Sequence, residues 1–386
     1  MIFQPTQKIH RYHVIESTLR EGEQFAGSHF TTADKIEIAQ ALDAFGVEYL
    51  ELTTPAASPQ SESDLREIAK MPRKFRLLTH IRARFDEAKL AVDCGVDGVD
   101  VYIGTSAYMR QYSHGKSLLQ IVEEGQEIVH WLKEQGIETR FSTEDTFRSN
   151  MADVFTVYRA MDLAGVDRVG VADTVGIADP IRTYNLIRSL RDTVNCDIEF
   201  HGHNDSGCAT ANALCALQAG ATHIDTTVLG IGERNGITAL GELVARLYTL
   251  DRELVAKYNL KELNALEETV AQKVGIVRPF DTVITGAHAF HHRAGVHTKA
   301  VLNNPTSYEA IDPSDFGLTR TLDIAHRLVG WNAVRDRAAH LGLALSEKEL
   351  REATHMVKSL ADRGRIELSD VDAILHRMAD PAPEHL

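Results

Sequence analysis

The stretch CDIEFHGHNDSGCATANALCALQAGATHIDTTV (196–228) decides the fold class of this chain. Its first part, CDIEFHGH (196–203), alternates polar and apolar side chains, which is typical of a strand. GCATANALCALQAG (207–220) has a helical pattern and ends in glycine, the usual residue at a left-handed helix C-terminus. THIDTTV (222–228) is again rich in β-forming residues, so the stretch predicts a strand, a helix and a second strand.

The same alternation of strand and helix extends over most of the chain. Helical patterns occur at TADKIEIAQALDAFG (32–46) and SLLQIVEEGQEIVHWLKEQG (117–136). The predicted strands are 12–18, 47–53, 75–80, 96–104, 137–143, 166–173, 196–203 and 222–228. Eight βα units in about 240 residues match the count and size of a (β/α)8 barrel, a TIM barrel. A doubly wound open sheet is the main rival, but it more usually has fewer strands.

The pattern changes after about residue 250. A helix is predicted over 261–275, followed by the His-rich irregular stretch VRPFDTVITGAHAFHHRAGVH (277–297). Helical patterns return at 321–342 and 346–364. We therefore expect a catalytic α/β barrel over 12–280 and a C-terminal linker and helical region over 281–386.

Composition excludes several classes of protein. The 386 residues carry a formal net charge of -14, which argues against a nucleic-acid or anionic-membrane binder because both favour basic surfaces. The start of the chain lacks an apolar signal core, and no apolar run is long enough to cross a bilayer. The four cysteines form no CxxC pair, as expected for a reducing compartment. We expect a cytoplasmic protein.

Polar residues recur at the C-terminal ends of the predicted strands, where the catalytic groups of such a barrel lie. Strand one leads into STLREGEQ (17–24), and strand six ends at Asp173 and Thr174. Other strands contribute His80, Asp100, Arg140, Ser142, Glu144, Glu199, His201 and His203. One such residue means little, but six strands together predict a site.

Strand periodicity indicates a metal centre. Side chains two residues apart share a face, so His201 and His203 should point the same way, and two histidines are natural ligands of a divalent metal. Glu21 is the best candidate for a third ligand from another strand. These three leave positions open for a bidentate 2-oxo acid. A hydrogen-bonded histidine pair in the core is the alternative.

Two further motifs leave their roles open. The loop GIGERNG (230–236) is not a dinucleotide fingerprint, and it is either a contact for CoA or a plain turn. The histidines at 288, 291, 292 and 297 have irregular spacing for a metal tract. Most of them are expected at the surface, with His297 as the exception.

The motifs STLREGEQF (17–25), ADTVG (172–176), HGHND (201–205), LGIGERNG (229–236) and AFHHRAGVH (289–297) carry a family resemblance. They resemble the metal-dependent acyltransferases that include homocitrate, 2-isopropylmalate and citramalate synthases. The resemblance runs in family order from about residue 12 to beyond residue 340. REGEQF, THIRAR (79–84) and RFSTEDTFRS (140–149) are most similar to the homocitrate synthases of lysine biosynthesis.

The resemblance implies a Claisen-type condensation of acetyl-CoA, the co-substrate, with 2-oxoglutarate. The products would be homocitrate and CoA, in the first step of lysine synthesis by the 2-aminoadipate route. It implies Glu21, His201 and His203 as ligands of a divalent cation such as Mg, Mn, Zn or Co. It also implies that Arg20 stabilises developing oxyanion charge.

The resemblance further implies a homodimer in which His297 reaches in from the partner subunit and works with Glu144 as the proton-transferring pair. Asp100 and Glu199 match positions near the substrate where lysine competes as a feedback inhibitor. The positions that hold the 2-oxo acid are matched by Arg20, His80, Arg140, Ser142 and Thr174.

One position departs from the family pattern. A tyrosine commonly follows the histidine matching His297 by five residues, and here that position is Leu302. This puts in doubt an auxiliary role of a tyrosine in orienting the histidine or in acid catalysis.

Three alternatives to a homocitrate synthase fit the sequence less well. A 2-isopropylmalate or citramalate synthase would act on another 2-oxo acid, but His80, Arg140 and Ser142 suit a second carboxylate. An iron oxygenase dependent on 2-oxoglutarate also uses two histidines and a carboxylate, yet is expected on a jelly roll. An inert barrel that only senses lysine would not need the full set of catalytic groups.

Overall fold

The computed structural model describes residues 8–380. The chain divides into two compact units, Met1–Arg278 and Pro279–Leu386. Within residues 8–380, no helix combines the length and the apolar character that a membrane crossing requires.

The first unit is a closed parallel barrel in which each strand pairs with the next along the chain. Its strands are β1 (His13–Glu16), β2 (Tyr49–Leu52), β3 (Arg76–Arg82), β4 (Gly98–Gly104), β5 (Glu138–Glu144), β6 (Arg168–Asp173), β7 (Asp197–Gly202) and β8 (His223–Thr226). Strand β8 closes the barrel on β1 in the register His13 to His223 and Glu16 to Thr226. All eight predicted strands are present, and closure excludes the open doubly wound sheet.

Helices follow the strands, as the sequence predicted. They are α1 (Thr32–Phe45), α2 (Pro59–Ala69), α3 (Phe85–Asp93), α4 (Ala107–Met109), α5 (Leu118–Glu134), α6 (Met151–Leu163), α7 (Pro180–Arg191), α8 (Ala209–Ala219), α9 (Leu240–Leu250) and α10 (Leu263–Val274). Every residue of β6 is buried, because outer helices and interior side chains cover both faces of a parallel strand.

Local sequence sets where these helices begin and end. Thr31 and Ser117 form capping boxes at the starts of α1 and α5, which satisfy free backbone N–H groups there. Gly46 and Gly220 end α1 and α8 with φ of 100° and 113°, a conformation that costs a side-chain-bearing residue more. The glycines at the ends of the predicted helices therefore have the role expected of them.

The second unit is mainly helical. It contains α11 (Gly295–Asn303), α12 (Trp331–His340), α13 (Glu347–Ala361), α14 (Leu368–Ala379) and the short paired strands β9 (His291–His292) and β10 (Thr321–Leu322). Helices α12, α13 and α14 share an apolar core that includes Val334, Val357 and Leu375.

The helix predicted over 321–342 is wrong in its first half. Residues 321–322 form β10, and α12 begins only at Trp331. The Asp323 carboxylate accepts a hydrogen bond from the N–H of Ala325, and the His326 ring accepts one from the N–H of Leu328. Such local side-chain bonds compete with helix formation, and the apolar spacing alone did not reveal them.

Candidate active site

The three predicted metal ligands lie together at the C-terminal end of the barrel. Glu21 follows β1, His201 lies in β7, and His203 follows β7. Their ligand atoms all lie within 4.8 Å of one another, and the two histidine Nε2 atoms are 3.3 Å apart. All three side chains are buried, so the sequence spacing and the fold bring one carboxylate and two imidazoles to one point.

The chemical state of this triad suits a divalent cation. Burial lowers the pKa of His201 and of His203 to about 4, so both rings are neutral and keep a lone pair for a metal. Burial alone would raise the pKa of Glu21, but the charge of Arg20 acts together with the two histidines and the N–H of Glu233 to lower that pKa. His203 Nδ1 is buried without a hydrogen-bond partner in the described part of the chain. Neutral imidazoles beside an ionised carboxylate fit a metal better than a purely structural histidine pair.

Arg20 is held by two carboxylates beside the triad. Its Nη1 lies 2.5 Å from Glu21 Oε2, and its Nε donates to Glu51 Oε2 at 2.9 Å. Across residues 8–380, these bonds leave Nη2 as the guanidinium nitrogen with no protein acceptor. Arg20 therefore presents a fixed positive charge and free N–H groups next to the triad.

A small pocket adjoins the triad, with a volume of about 160 Å³. Pockets for drug-sized ligands run to roughly 300–1,000 Å³, so this one suits a small organic acid. Its lining includes nine predicted site residues: Arg20, Glu21, His80, Arg140, Ser142, Glu144, Thr174, His201 and His203.

Two predicted residues of the barrel, Asp100 and Glu199, do not line this pocket. Both are fully buried behind Arg140, which lines the pocket. Arg140 forms an ion pair with Glu199 and lies 3.5 Å from Asp100. Arg168 neutralises the same two carboxylates from the other side, at 3.3 Å from Asp100 and 3.0 Å from Glu199. Burial raises the pKa of both acids. The two residues therefore form an acidic floor beneath Arg140.

Glu144 ends β5 at the rim of the pocket. Burial, reinforced by the charge of Asp145, raises the pKa of Glu144, which favours a group that exchanges protons near neutral pH. Asp145 has a left-handed φ of 60°, and its N–H donates to Thr174 Oγ1 at 2.8 Å. This bond ties the end of β5 to the loop after β6.

His297 lies in the second unit, on α11, and is exposed there. Its ring centroid is 4.2 Å from that of Tyr308. Leu302 lies five residues further along α11, where the helical repeat places it on a different face from His297. Tyr308 is therefore the tyrosine next to this histidine, and a tyrosine at position 302 would not face it in this helix.

Sequence reasoning missed several charged residues of the site. Glu51 accepts hydrogen bonds from Ser17 and Arg20 and lies 3.1 Å from His80 Nδ1. Asp225 in β8 lies 2.8 Å from His201 Nδ1. Both acids lie inside the predicted strands 47–53 and 222–228, and a carboxylate within a strand of a parallel barrel is the signal that could have revealed them.

The glycine-rich loop packs over the metal triad. The N–H of Glu233 donates to Glu21 Oε1 at 2.9 Å. A Cβ at Gly232 would lie 2.8 Å from the same oxygen, so glycine is needed for this close approach. The loop is more than a plain turn, and its contact with CoA stays a prediction.

Two family models together cover most of the chain. Residues 11–270 match the HMGL-like family, and residues 284–365 match the homocitrate synthase post-HMGL domain-like family. Two solved structures with a similar fold are HMG-CoA lyases, from Bacillus subtilis and Pseudomonas aeruginosa. Both are 20% identical, with TM-scores of 0.61 and 0.60; they cover 70% and 76% of this chain and 95% and 98% of their own. At this identity they show the fold alone.

Curated relatives are far more similar in sequence. The mitochondrial homocitrate synthase of Penicillium rubens is 54% identical over 95% of this chain and 78% of its own length. That of Schizosaccharomyces pombe is 53% identical over 95% and 88%. The cytosolic isozyme of Saccharomyces cerevisiae is 51% identical over 95% and 86%. The chain therefore belongs to the homocitrate synthase family.

Proposed function

We propose that this chain is an acyltransferase that condenses acetyl-CoA with 2-oxoglutarate and hydrolyses the thioester, giving homocitrate and CoA. The observation that carries the proposal is one pocket in which the metal triad meets Arg20, His80 and Arg140. The triad suits a 2-oxo carboxylate end, and the cationic and polar wall suits a second carboxylate. The chain's membership of the homocitrate synthase family supports the same reaction.

Glu21, His201 and His203 would hold the divalent cation, Mg, Mn, Zn or Co. When bound, such an ion supplies Lewis-acid polarisation of the ketone. Arg20 would donate from its free Nη2 to the ketone oxygen as negative charge builds up there. This interaction is stronger in the transition state than in the ground state, so it lowers the barrier.

The 2-oxo acid would be oriented by the remaining wall of the pocket. Arg140 and His80 would bind the distal carboxylate, with Ser142 and Thr174 donating hydroxyl hydrogen bonds. Asp100 and Glu199 beneath Arg140 would hold its guanidinium in place. They would also receive the ammonium group of lysine when it competes for the pocket as a feedback inhibitor.

Glu144 and His297 would move the protons. His297, assisted by Glu144, would remove a proton from the acetyl methyl group, and the resulting enolate would form the new carbon–carbon bond at the ketone carbon. We propose that residues 281–386 cross over in a homodimer, so that one barrel's Glu144 meets the partner chain's His297. The exposure of His297 in its own unit supports this arrangement.

The competing activities fit less well. A 2-isopropylmalate synthase would bury an isopropyl group against Arg140 and His80 and leave their hydrogen bonds unmade, which is costly. The closed α/β barrel is not the jelly roll expected of an iron oxygenase.

The relatives are named for both mitochondria and cytosol, and we propose the cytosol, with which four unpaired cysteines agree.

A thiol-release assay tests the function directly. Purified enzyme with Mn2+ and acetyl-CoA is given 2-oxoglutarate, 2-oxoisovalerate, pyruvate or oxaloacetate, and free CoA is measured. We expect 2-oxoglutarate to give the highest kcat/KM. Faster turnover of 2-oxoisovalerate or pyruvate would overturn the proposal in favour of a related synthase.

A further inference from the structure

Asp225 contacts the metal triad from outside it, through His201. It lies in β8, is fully buried, and places Oδ2 2.8 Å from Nδ1 of His201. Its other oxygen, Oδ1, is buried without a hydrogen-bond partner in residues 8–380. A buried carboxylate with one unpaired oxygen lowers the stability of the fold, so such a group in a barrel interior is a candidate for a functional role.

The contact fixes which nitrogen of His201 faces the triad. When Nδ1–H donates to a carboxylate, the proton stays on Nδ1 and the Nε2 lone pair is free. That Nε2 is the atom 3.3 Å from Nε2 of His203. The Nδ1 of His203 is buried with no partner in the described chain, so Asp225 gives His201 a support that His203 lacks.

We infer that Asp225 is a positioning residue of the metal centre, which orients His201 and strengthens its binding of a divalent cation. The inference rests on the metal site of the proposed function and adds a residue to it. Asp225 touches neither metal nor substrate in this scheme and acts through His201.

A second contact of Asp225 offers a rival explanation. The same Oδ2 lies 3.7 Å from Nη1 of Arg140, so Asp225 could serve only as a counter-ion of that arginine. Arg140 already has Glu199 and Asp100 as partners, whereas His201 Nδ1 has its hydrogen bond to Asp225. The contact of Asp225 with His201 is the shorter of the two. Among the described residues, no other group hydrogen-bonds to His201 Nδ1.

The test measures metal binding without turnover. Apo protein is titrated with Mn2+, and the free ion is followed by electron paramagnetic resonance. Loss of an outer partner of a histidine ligand typically weakens metal binding about 10- to 100-fold. We expect that increase in Kd for Asp225→Asn, with a circular-dichroism melt like that of the wild type. Asp225→Ser, a second variant, should shift Kd in the same direction.

Glu16→Gln is the matched control. Glu16 is equally buried on the neighbouring strand β1 and accepts hydrogen bonds from Thr18. The Kd of Glu16→Gln for Mn2+ should therefore stay within about twofold of wild type, a much smaller change than the loss of a partner of a metal ligand causes. A Kd for Asp225→Asn within the same range would overturn the inference. So would wild-type protein that binds no Mn2+, or loss of the folded state in both Asp225 variants. If wild type binds Mn2+ but releases no CoA with 2-oxoglutarate, the proposed function fails and the inference stands.

Discussion

Nη2 of Arg140 lies 3.0 Å from Nδ1 of His80, which brings a cation of β5 and an imidazole of β3 to one point of the pocket wall. Burial, with the nearby charge of Arg20, lowers the pKa of His80 to about 3. His80 is therefore neutral and acts as a hydrogen-bonding group rather than as a second charge.

This pair should determine the choice of 2-oxo acid. In His80→Leu, the distal carboxylate of 2-oxoglutarate loses a hydrogen-bond partner, which costs about 1–3 kcal/mol. The kcat/KM ratio of 2-oxoglutarate to 2-oxoisovalerate should fall roughly 10- to 100-fold. Steady-state kinetics with both acids measure it, and His130→Leu on the exposed face of α5 is the control. An unchanged ratio in His80→Leu would remove His80 from substrate recognition.

Replacing a histidine of the metal triad should remove the bound metal and leave the fold intact. His201→Ala and His203→Ala each delete one of three ligands, so both proteins should lose bound Mn2+ on dialysis and lose nearly all activity. Elemental analysis gives the metal content, and circular dichroism checks the fold. His130→Ala should keep wild-type metal content. Stoichiometric metal in both ligand variants would show that the ion binds elsewhere.

Lysine should inhibit by competing with 2-oxoglutarate. The acids beneath Arg140 would hold its ammonium group, so lysine should raise the apparent KM for 2-oxoglutarate and leave kcat unchanged. Glu199→Gln removes one of these charges, so it should weaken inhibition relative to wild type. Initial rates over a grid of lysine and 2-oxoglutarate concentrations measure both effects. Inhibition that persists undiminished at saturating 2-oxoglutarate would exclude a shared site.

The homodimer predicts complementation between two inactive variants. Glu144→Ala and His297→Ala should each be nearly inactive. In a mixed dimer, the barrel that keeps Glu144 receives an intact His297 from its partner, while the other barrel lacks both. Random reassortment makes about half of the dimers mixed, each with one good site, so about a quarter of wild-type activity should return.

The complementation test uses co-expression of the two variants with different affinity tags. Activity of the unfractionated mixture is compared with the expected quarter, and mixed dimers isolated by sequential purification on both tags should show about half of wild-type activity. Mixed dimers without activity would mean that His297 serves the barrel of its own chain, whereas an active His297→Ala variant would show that His297 has no part in catalysis.

Much of the barrel could be predicted because it follows from local periodicity. Strand alternation placed Arg140, Ser142 and Glu144 on one face, and the pocket lining contains all three. The pairing of Asp225 with His201 could not be predicted, because it depends on how two neighbouring strands are aligned in the closed barrel.

Asp100 and Glu199 were predicted as site residues, but their pairing with Arg168 was beyond sequence reasoning for a similar reason. Arg168 begins β6 and looks like a surface residue in the sequence, yet it is buried and reaches Asp100 and Glu199. A single strand does not reveal that its inward side chains will meet opposite charges from other strands. The irregular stretch before α12 was missed because its hydrogen bonds come from individual polar side chains rather than from a repeating pattern.

The most direct test of the central claim is to identify the product. Enzyme with Mn2+, 2-oxoglutarate and acetyl-CoA labelled with 13C in both acetyl carbons is incubated, and the products are analysed by mass spectrometry against authentic homocitrate. We predict homocitrate that carries both labelled carbons, in an amount equal to the CoA released. Release of CoA with labelled acetate as the sole labelled product, or no release with 2-oxoglutarate, would contradict the account.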